Sequence, residues 1–142
     1  MGHVDELPGM YVAQSSGCAP IVDAYEAGLE RHEPWADVGT VCGGIAIPDP
    51  GASDLVLEAV YESNGGAVAT DDGAILDAAV DVARHTGLEM APACAAAASG
   101  AFALADRGEF GPDDTVVLLN TGAGNKDVDT LRSHLGERED AA

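Results

Sequence analysis

The one lysine of this chain, Lys126, stands in the segment "VVLLNTGAGNKD", residues 116–127. A lysine amine attacks carbonyl groups near neutral pH only when desolvation or nearby cations suppress its charge. Lys126 lies between Asn125 and Asp127 in what reads as an exposed loop, so no catalytic role is assigned to it. Thr121 is the more useful residue. Its hydroxyl can donate or accept a hydrogen bond at the carboxyl end of an apolar strand, where parallel sheets bind ligands. Gly122 and Gly124 let backbone N–H groups approach a ligand closely. The same glycines suit a plain strand-to-helix turn, and the pattern alone leaves both readings open. A dinucleotide fingerprint is excluded, because "GAGNKD" lacks the third glycine of GxGxxG and follows the last strand. The pair Gly43 and Gly44 is the second candidate. Two glycines inside a strand weaken it, which marks the close approach of a flat ligand or of another element.

Other reactive residues are scattered. Cys18, Cys42 and Cys94 form no CxxC and each sits beside Ala or Gly, which suits core filling. His3, His32, His85 and His134 form no HxxxH or HExxH. No zinc site and no other metal site is expected. An odd cysteine count without a signal peptide fits a reducing compartment, and the expected location is the cytoplasm.

Alternating strands and helices must position these residues. Strands are expected over residues 10–14, 40–48, 67–70, 88–91 and 115–120. The last is a near-continuous apolar run, as in a strand buried on both faces. Helices are expected over 19–32, 54–63, 71–85, 92–107 and 127–135, with Ser16, Ser53 and Thr70 as caps for the first three. Gly87 and Gly108 should end the third and fourth helices, and Pro92 should open the fourth. Six of the eight residues 91–98 are alanine. Such small side chains favour tight helix–sheet packing, with close approach to a ligand as the alternative. The fold class is therefore α/β, a largely parallel sheet with flanking helices. Residues 1–135 read as one unit and 136–142 as an acidic, disordered tail.

The 142 residues carry 25 Asp+Glu against 6 Lys+Arg, a net charge of −19. Such a surface repels nucleic acid and anionic membranes, so neither is an expected partner. The acids are spread along the chain, which favours adaptation to molar salt over a basic protein partner. No apolar run approaches the roughly 20 residues of a membrane helix.

Five segments, taken in order, resemble the threonine synthases, pyridoxal-phosphate enzymes of fold type II. "TGAGNKD" resembles their TGxGxKD turn, and "LPGMYVAQSSGCAPIVDAY" their LPxMxxxQxxGxAPxV segment. "GGAVATDDGAILDAA" is similar to GGxxxxVTDEEIL, and "LEMAPACAAAASGAFAL" to EPASAAAxAG. "GGIAIPDPGAS" resembles the synthase strand and that of the related threonine dehydratases. The acidic bias suggests a haloarchaeal member. The match runs from about Leu7 to Leu135 and departs at Ala91, Cys94 and Ala123, where the family usually has Glu, Ser and His. It implies pyridoxal 5'-phosphate as cofactor, Thr121 at its pyridine nitrogen, and Gly43 and Gly44 along its ring. The implied reaction converts O-phosphohomoserine, a small amino-acid substrate, and water to threonine and phosphate. It covers only the family's C-terminal portion. The Schiff-base lysine and the Asn/Gly-rich phosphate loop belong to the family's N-terminal portion, so activity is expected only with an N-terminal half, and a homo-oligomer is possible. The alternatives are a non-catalytic remnant or binding module on the same scaffold, or a dehydratase fragment. The dehydratases' SGGN-like turn argues against the last.

Overall fold

The computed structural model describes residues 7–140. Strand β1 (Tyr11–Ser15) and strand β2 (Gly66–Thr70) pair in parallel, from Tyr11 opposite Gly66 to Ser15 opposite Thr70. Between them run helices α1 (Pro20–Glu26) and α2 (Ser53–Glu62). Helix α3 (Asp72–Thr86) follows β2 at once, then α4 (Pro92–Asp106) and α5 (Val128–Asp140).

The two faces of the sheet are covered by different helices. Val12, Ala67 and Ala69 pack with Ala19 and Val22 on the α1 side. The alternate residues Ala13 and Val68 meet α4 at Gly100, as the period of two in a strand requires. A Cβ placed on Gly100 would stand 2.7 Å from the Ala13 Cβ, so the bare backbone sets how closely α4 lies on the sheet. Behind α4, Ile75, Ala78 and Ala79 of α3 pack against Ala95, Ala96 and Ala98. Within the alanine run, Ala95, Ala96 and Ala98 thus form a helix-packing surface.

The α/β class and the two parallel strands agree with the sequence expectation; three further strands do not form. Residues 40–48 hold a 3-10 turn, Gly43–Ile45. Their backbone is drawn to side chains: Val41 N–H donates to Asp72 Oδ2 at 2.7 Å and Cys42 N–H to Thr40 Oγ1 at 3.0 Å. Such bonds compete directly with a strand ladder. Residues 88–91 are irregular, and so are residues 115–120. The apolar run expected to be buried on both faces is open, with Val117 78 % and Leu119 74 % exposed. Its backbone has no ladder partner among the described residues.

Helix ends differ in instructive ways. Helix α1 stops at Glu26 rather than residue 32, and the chain turns through Gly28 at φ +67°. Ser16 does not cap it; Gln14 Oε1 accepts from Ile21 N–H and Val22 N–H at 3.0 and 3.1 Å. Ser53 is the first residue of α2, and its hydroxyl meets His32 Nδ1 at 2.6 Å. Asp71, not Thr70, caps α3, accepting from Ala74 N–H at 2.9 Å. Thr70 Oγ1 instead accepts from Ser99 Oγ. Gly87 (φ +72°) and Gly108 (φ +79°) follow α3 and α4 in left-handed geometry, as expected. Helix α5 runs on to Asp140, through residues 136–140 that the sequence assigns to a disordered tail. Residues 141–142 of that tail lie outside the described residues.

Candidate functional site

The turn after residues 115–120 is docked on the approach to α4 by one backbone and one side-chain hydrogen bond. Ala91 N–H donates to Gly122 O at 2.9 Å, and Asn120 Nδ2 donates to Glu89 O at 3.1 Å. Gly124 is buried; a Cβ there would meet the Glu89 Cβ and Met90 O, each at 3.3 Å. Two glycines therefore meet close-contact demands of this docking, since a Cβ on Gly122 would stand 3.2 Å from Cys94 Sγ.

Docking brings Thr121 to the first turn of α4, where its Oγ1 lies 3.4 Å from Cys94 Sγ. Both residues line a groove of about 540 Å³ between β1, α4 and residues 115–121. Ala93, Ala97 and Gly100 of α4 line it with small side chains, and Leu119 borders it. Cys18 and Cys42 are buried as expected, and Cys94, half-buried, packs against the core besides lining the groove. Its meeting with Thr121 spans 27 residues of sequence, and no local pattern announces it.

The glycine pair stands nearby but does not line this groove. Gly44 abuts α4: a Cβ on it would stand 2.8 Å from the Ala93 Cβ. A Cβ on Gly43 would meet nothing within 4 Å. Close packing thus accounts for the absence of a side chain at Gly44 and leaves Gly43 open. Lys126 is exposed, and its Nζ lies 3.9 Å from the position of a Gly122 Cβ. The amine therefore borders the Thr121 turn without a desolvated pocket around it.

Asp72 holds the strand-to-loop junction together. Its Oδ1 accepts from Ser15 Oγ at 2.8 Å and Thr40 Oγ1 at 2.6 Å, while Oδ2 takes Val41 N–H. Burial pushes this carboxyl up, but the hydrogen bonds from Thr40, Val41 and Ser15 outweigh it and hold it below the ordinary carboxylate value. Burial pushes the neighbouring Cys42 thiol up to about 11, so it stays protonated and inert.

A second cluster has the residue types of a hydrolytic relay. His32 Nδ1 meets Ser53 Oγ at 2.6 Å, and its Nε2 meets Asp49 Oδ1 at 3.0 Å. Ser53 is 2 % exposed at the start of α2, so no substrate carbonyl reaches its hydroxyl. The cluster ties the long α1–α2 connection to the head of α2.

A family profile described as "Pyridoxal-phosphate dependent enzyme" matches residues 2–122. A threonine synthase of Methanosarcina acetivorans is 38 % identical over 131 residues, covering 92 % of this chain and 32 % of that protein. A threonine synthase of Methanocaldococcus jannaschii is 34 % identical over 128 residues, covering 90 % and 32 %. The chain thus spans about a third of the length of these relatives. Among solved structures, maize serine racemase matches with a TM-score of 0.61 at 20 % identity, covering 90 % of this chain and 39 % of that one. That likeness is one of fold.

Proposed function

Because this chain belongs to the pyridoxal-phosphate dependent enzymes, we propose that it contributes the ring-nitrogen side of the cofactor site in a threonine-synthase-like lyase. The proposed substrate is O-phosphohomoserine, converted with water to threonine and phosphate. The observation that carries this reading is the position of Thr121, which lines a groove whose α4 wall is alanine and glycine and whose other walls carry larger apolar residues such as Tyr11 and Phe110. A groove of about 540 Å³ lies within the roughly 300–1,000 Å³ of small-molecule sites. The small side chains of its α4 wall leave room for a flat ring, and Thr121 Oγ1 supplies a polar group for the ring nitrogen.

When bound, the cofactor supplies an electron sink for charge developing on the substrate. The chain's own residues orient and tune it. A neutral threonine hydroxyl donates to the ring nitrogen without protonating it, which moderates that sink. Gly44 holds its turn against α4, and Gly43 stands with open space beside it, outside the groove of Thr121. Residues 1–135 act as one unit in this reading.

The amine that anchors the cofactor and the loop that holds its phosphate come, in this proposal, from outside these residues. Two observations support that division. Lys126 is exposed, and the apolar side chains of Val117 and Leu119 stand open beside the groove, where a further portion of enzyme would cover them. No helix among the described residues is long and apolar enough to cross a membrane. We place the enzyme in the cytoplasm of a salt-rich cell.

The test is a cofactor titration followed by absorbance, with and without a candidate N-terminal portion. A bound-cofactor band that requires both portions is expected. In the assembled enzyme, Thr121→Val keeps the shape and removes the hydroxyl, and turnover should fall about tenfold or more, roughly 1.4 kcal/mol. Unchanged kinetics would remove Thr121 from the cofactor site.

A further inference from the structure

The proposed contact at the ring nitrogen rests on one hydroxyl, and a hydroxyl has one proton to give. We propose that Cys94 is a positioning residue that directs that proton: its thiol donates to Thr121 Oγ1, leaving the threonine proton for the ring nitrogen. This inference rests on the reading of Thr121 as the ring-nitrogen partner.

The two side chains are held together by bonds other than their own. Cys94 N–H donates to Ala91 O at 2.8 Å, fixing the cysteine in the first turn of α4. Ala91 N–H in turn donates to Gly122 O, so the residue after Thr121 is anchored to the same point. A Cβ on Gly122 would stand 3.2 Å from Sγ, so the bare glycine leaves the thiol its place beside the turn. The resulting Sγ–Oγ1 separation of 3.4 Å is within hydrogen-bond range for sulfur.

Donor and acceptor strengths decide the direction. A hydroxyl oxygen accepts through two lone pairs, whereas a thiol is a weak donor and a weak acceptor. An unprotonated pyridine nitrogen is the better acceptor for the threonine proton. The arrangement with the fewest wasted groups runs S–H to Oγ1, then O–H to nitrogen, and bonds in such a chain polarise one another. Were the threonine proton spent on sulfur, Oγ1 would face the nitrogen lone pair with lone pairs of its own.

The S–H stretching band reads the donor directly, in the chain as it stands. Cys94→Ala identifies the Cys94 band by its loss, apart from the bands of buried Cys18 and Cys42. Thr121→Val removes the acceptor, and the Cys94 band should move to higher wavenumber while the other two stay. A Cys94 band that does not move overturns the proposal whatever the cofactor does. In the assembled holoenzyme, Cys94→Ala should weaken cofactor binding about two- to fivefold, the scale of one weak hydrogen bond. Cys94→Ser, which keeps a donor, should restore most of it, and Cys94→Ala should add nothing in a Thr121→Val background. Additive losses, or no rescue by serine, overturn the positioning role. A band that moves while Thr121→Val leaves cofactor affinity unchanged refutes instead the assignment of Thr121 to the cofactor.

Discussion

Replacing Asp72 by Asn tests whether a carboxylate organises the junction of β1, α3 and the turn that carries Gly43 and Gly44. The carboxylate accepts three hydrogen bonds, at 2.8, 2.6 and 2.7 Å, from Ser15, Thr40 and Val41. An amide offers one acceptor atom. If its oxygen takes the two hydroxyls, its NH2 faces the Val41 N–H and that bond becomes a clash between donors. A hydrogen bond to a charged group contributes about 1.5–3 kcal/mol, and a neutral one about half of that. One bond lost and two weakened would exceed about 3 kcal/mol in a dry site. Asp72 is only half-buried, so water recovers part, and a net loss of about 2 kcal/mol is expected. The adjacent Asp71→Asn is the control. It makes the same charge change at the same helix end, but asparagine caps as well as aspartate, so its cost should stay within about 0.5 kcal/mol. Urea unfolding with a common slope measures both. Because Asp72 titrates lower in the folded state, its contribution is present above the ordinary carboxylate range and lost as pH falls through the lowered folded value. The stability gap between wild type and Asp72→Asn should therefore be flat from about pH 7 to about 5 and narrow in more acid solution. Equal costs for the two variants, or a gap that does not narrow in acid, would refute the reasoning.

Gly100→Ala should destabilise the chain by about 1–2 kcal/mol in spite of a helix-propensity gain of about 1 kcal/mol, because the new methyl meets Ala13 at 2.7 Å and Val68 at 3.0 Å. Thermal unfolding checks it, and a raised midpoint would show that α4 is free to lift off the sheet. Borohydride reduction of the chain mixed with pyridoxal phosphate should leave Lys126 without stoichiometric labelling, since its amine is exposed and lacks a desolvating pocket; peptide mapping that finds Lys126 fully labelled would reverse its exclusion from chemistry. The thermal midpoint should rise steeply from low salt to multi-molar KCl, because the Debye length falls from about 30 Å at 0.01 M to about 3 Å at 1 M and screens a net charge of −19. A flat midpoint by circular dichroism would favour a basic partner as the reason for the acidity.

Features set by neighbours in the chain are legible in the sequence itself. Gly87 and Gly108 end helices because the left-handed geometry after a helix suits glycine, and Pro92 opens α4 because the first turn needs no N–H there. The repeat of apolar residues marks α3, and the ordered motifs around Thr121 lead to the cofactor family. What required tertiary structure is everything decided by a partner distant in sequence. A strand exists only when another backbone completes its ladder. The apolar run at residues 115–120 and the glycine-bearing run at 40–48 have strand-like composition, yet the first lies open and the second is drawn to Asp72. Local pattern likewise nominates Ser16 and Ser53 as caps, but Gln14 reaches the head of α1 and His32 engages Ser53. The meeting of Cys94 with Thr121 is of the same kind. Residue types supply what a side chain is able to do, and only the packing of α4 against the docked turn decides which two of them touch.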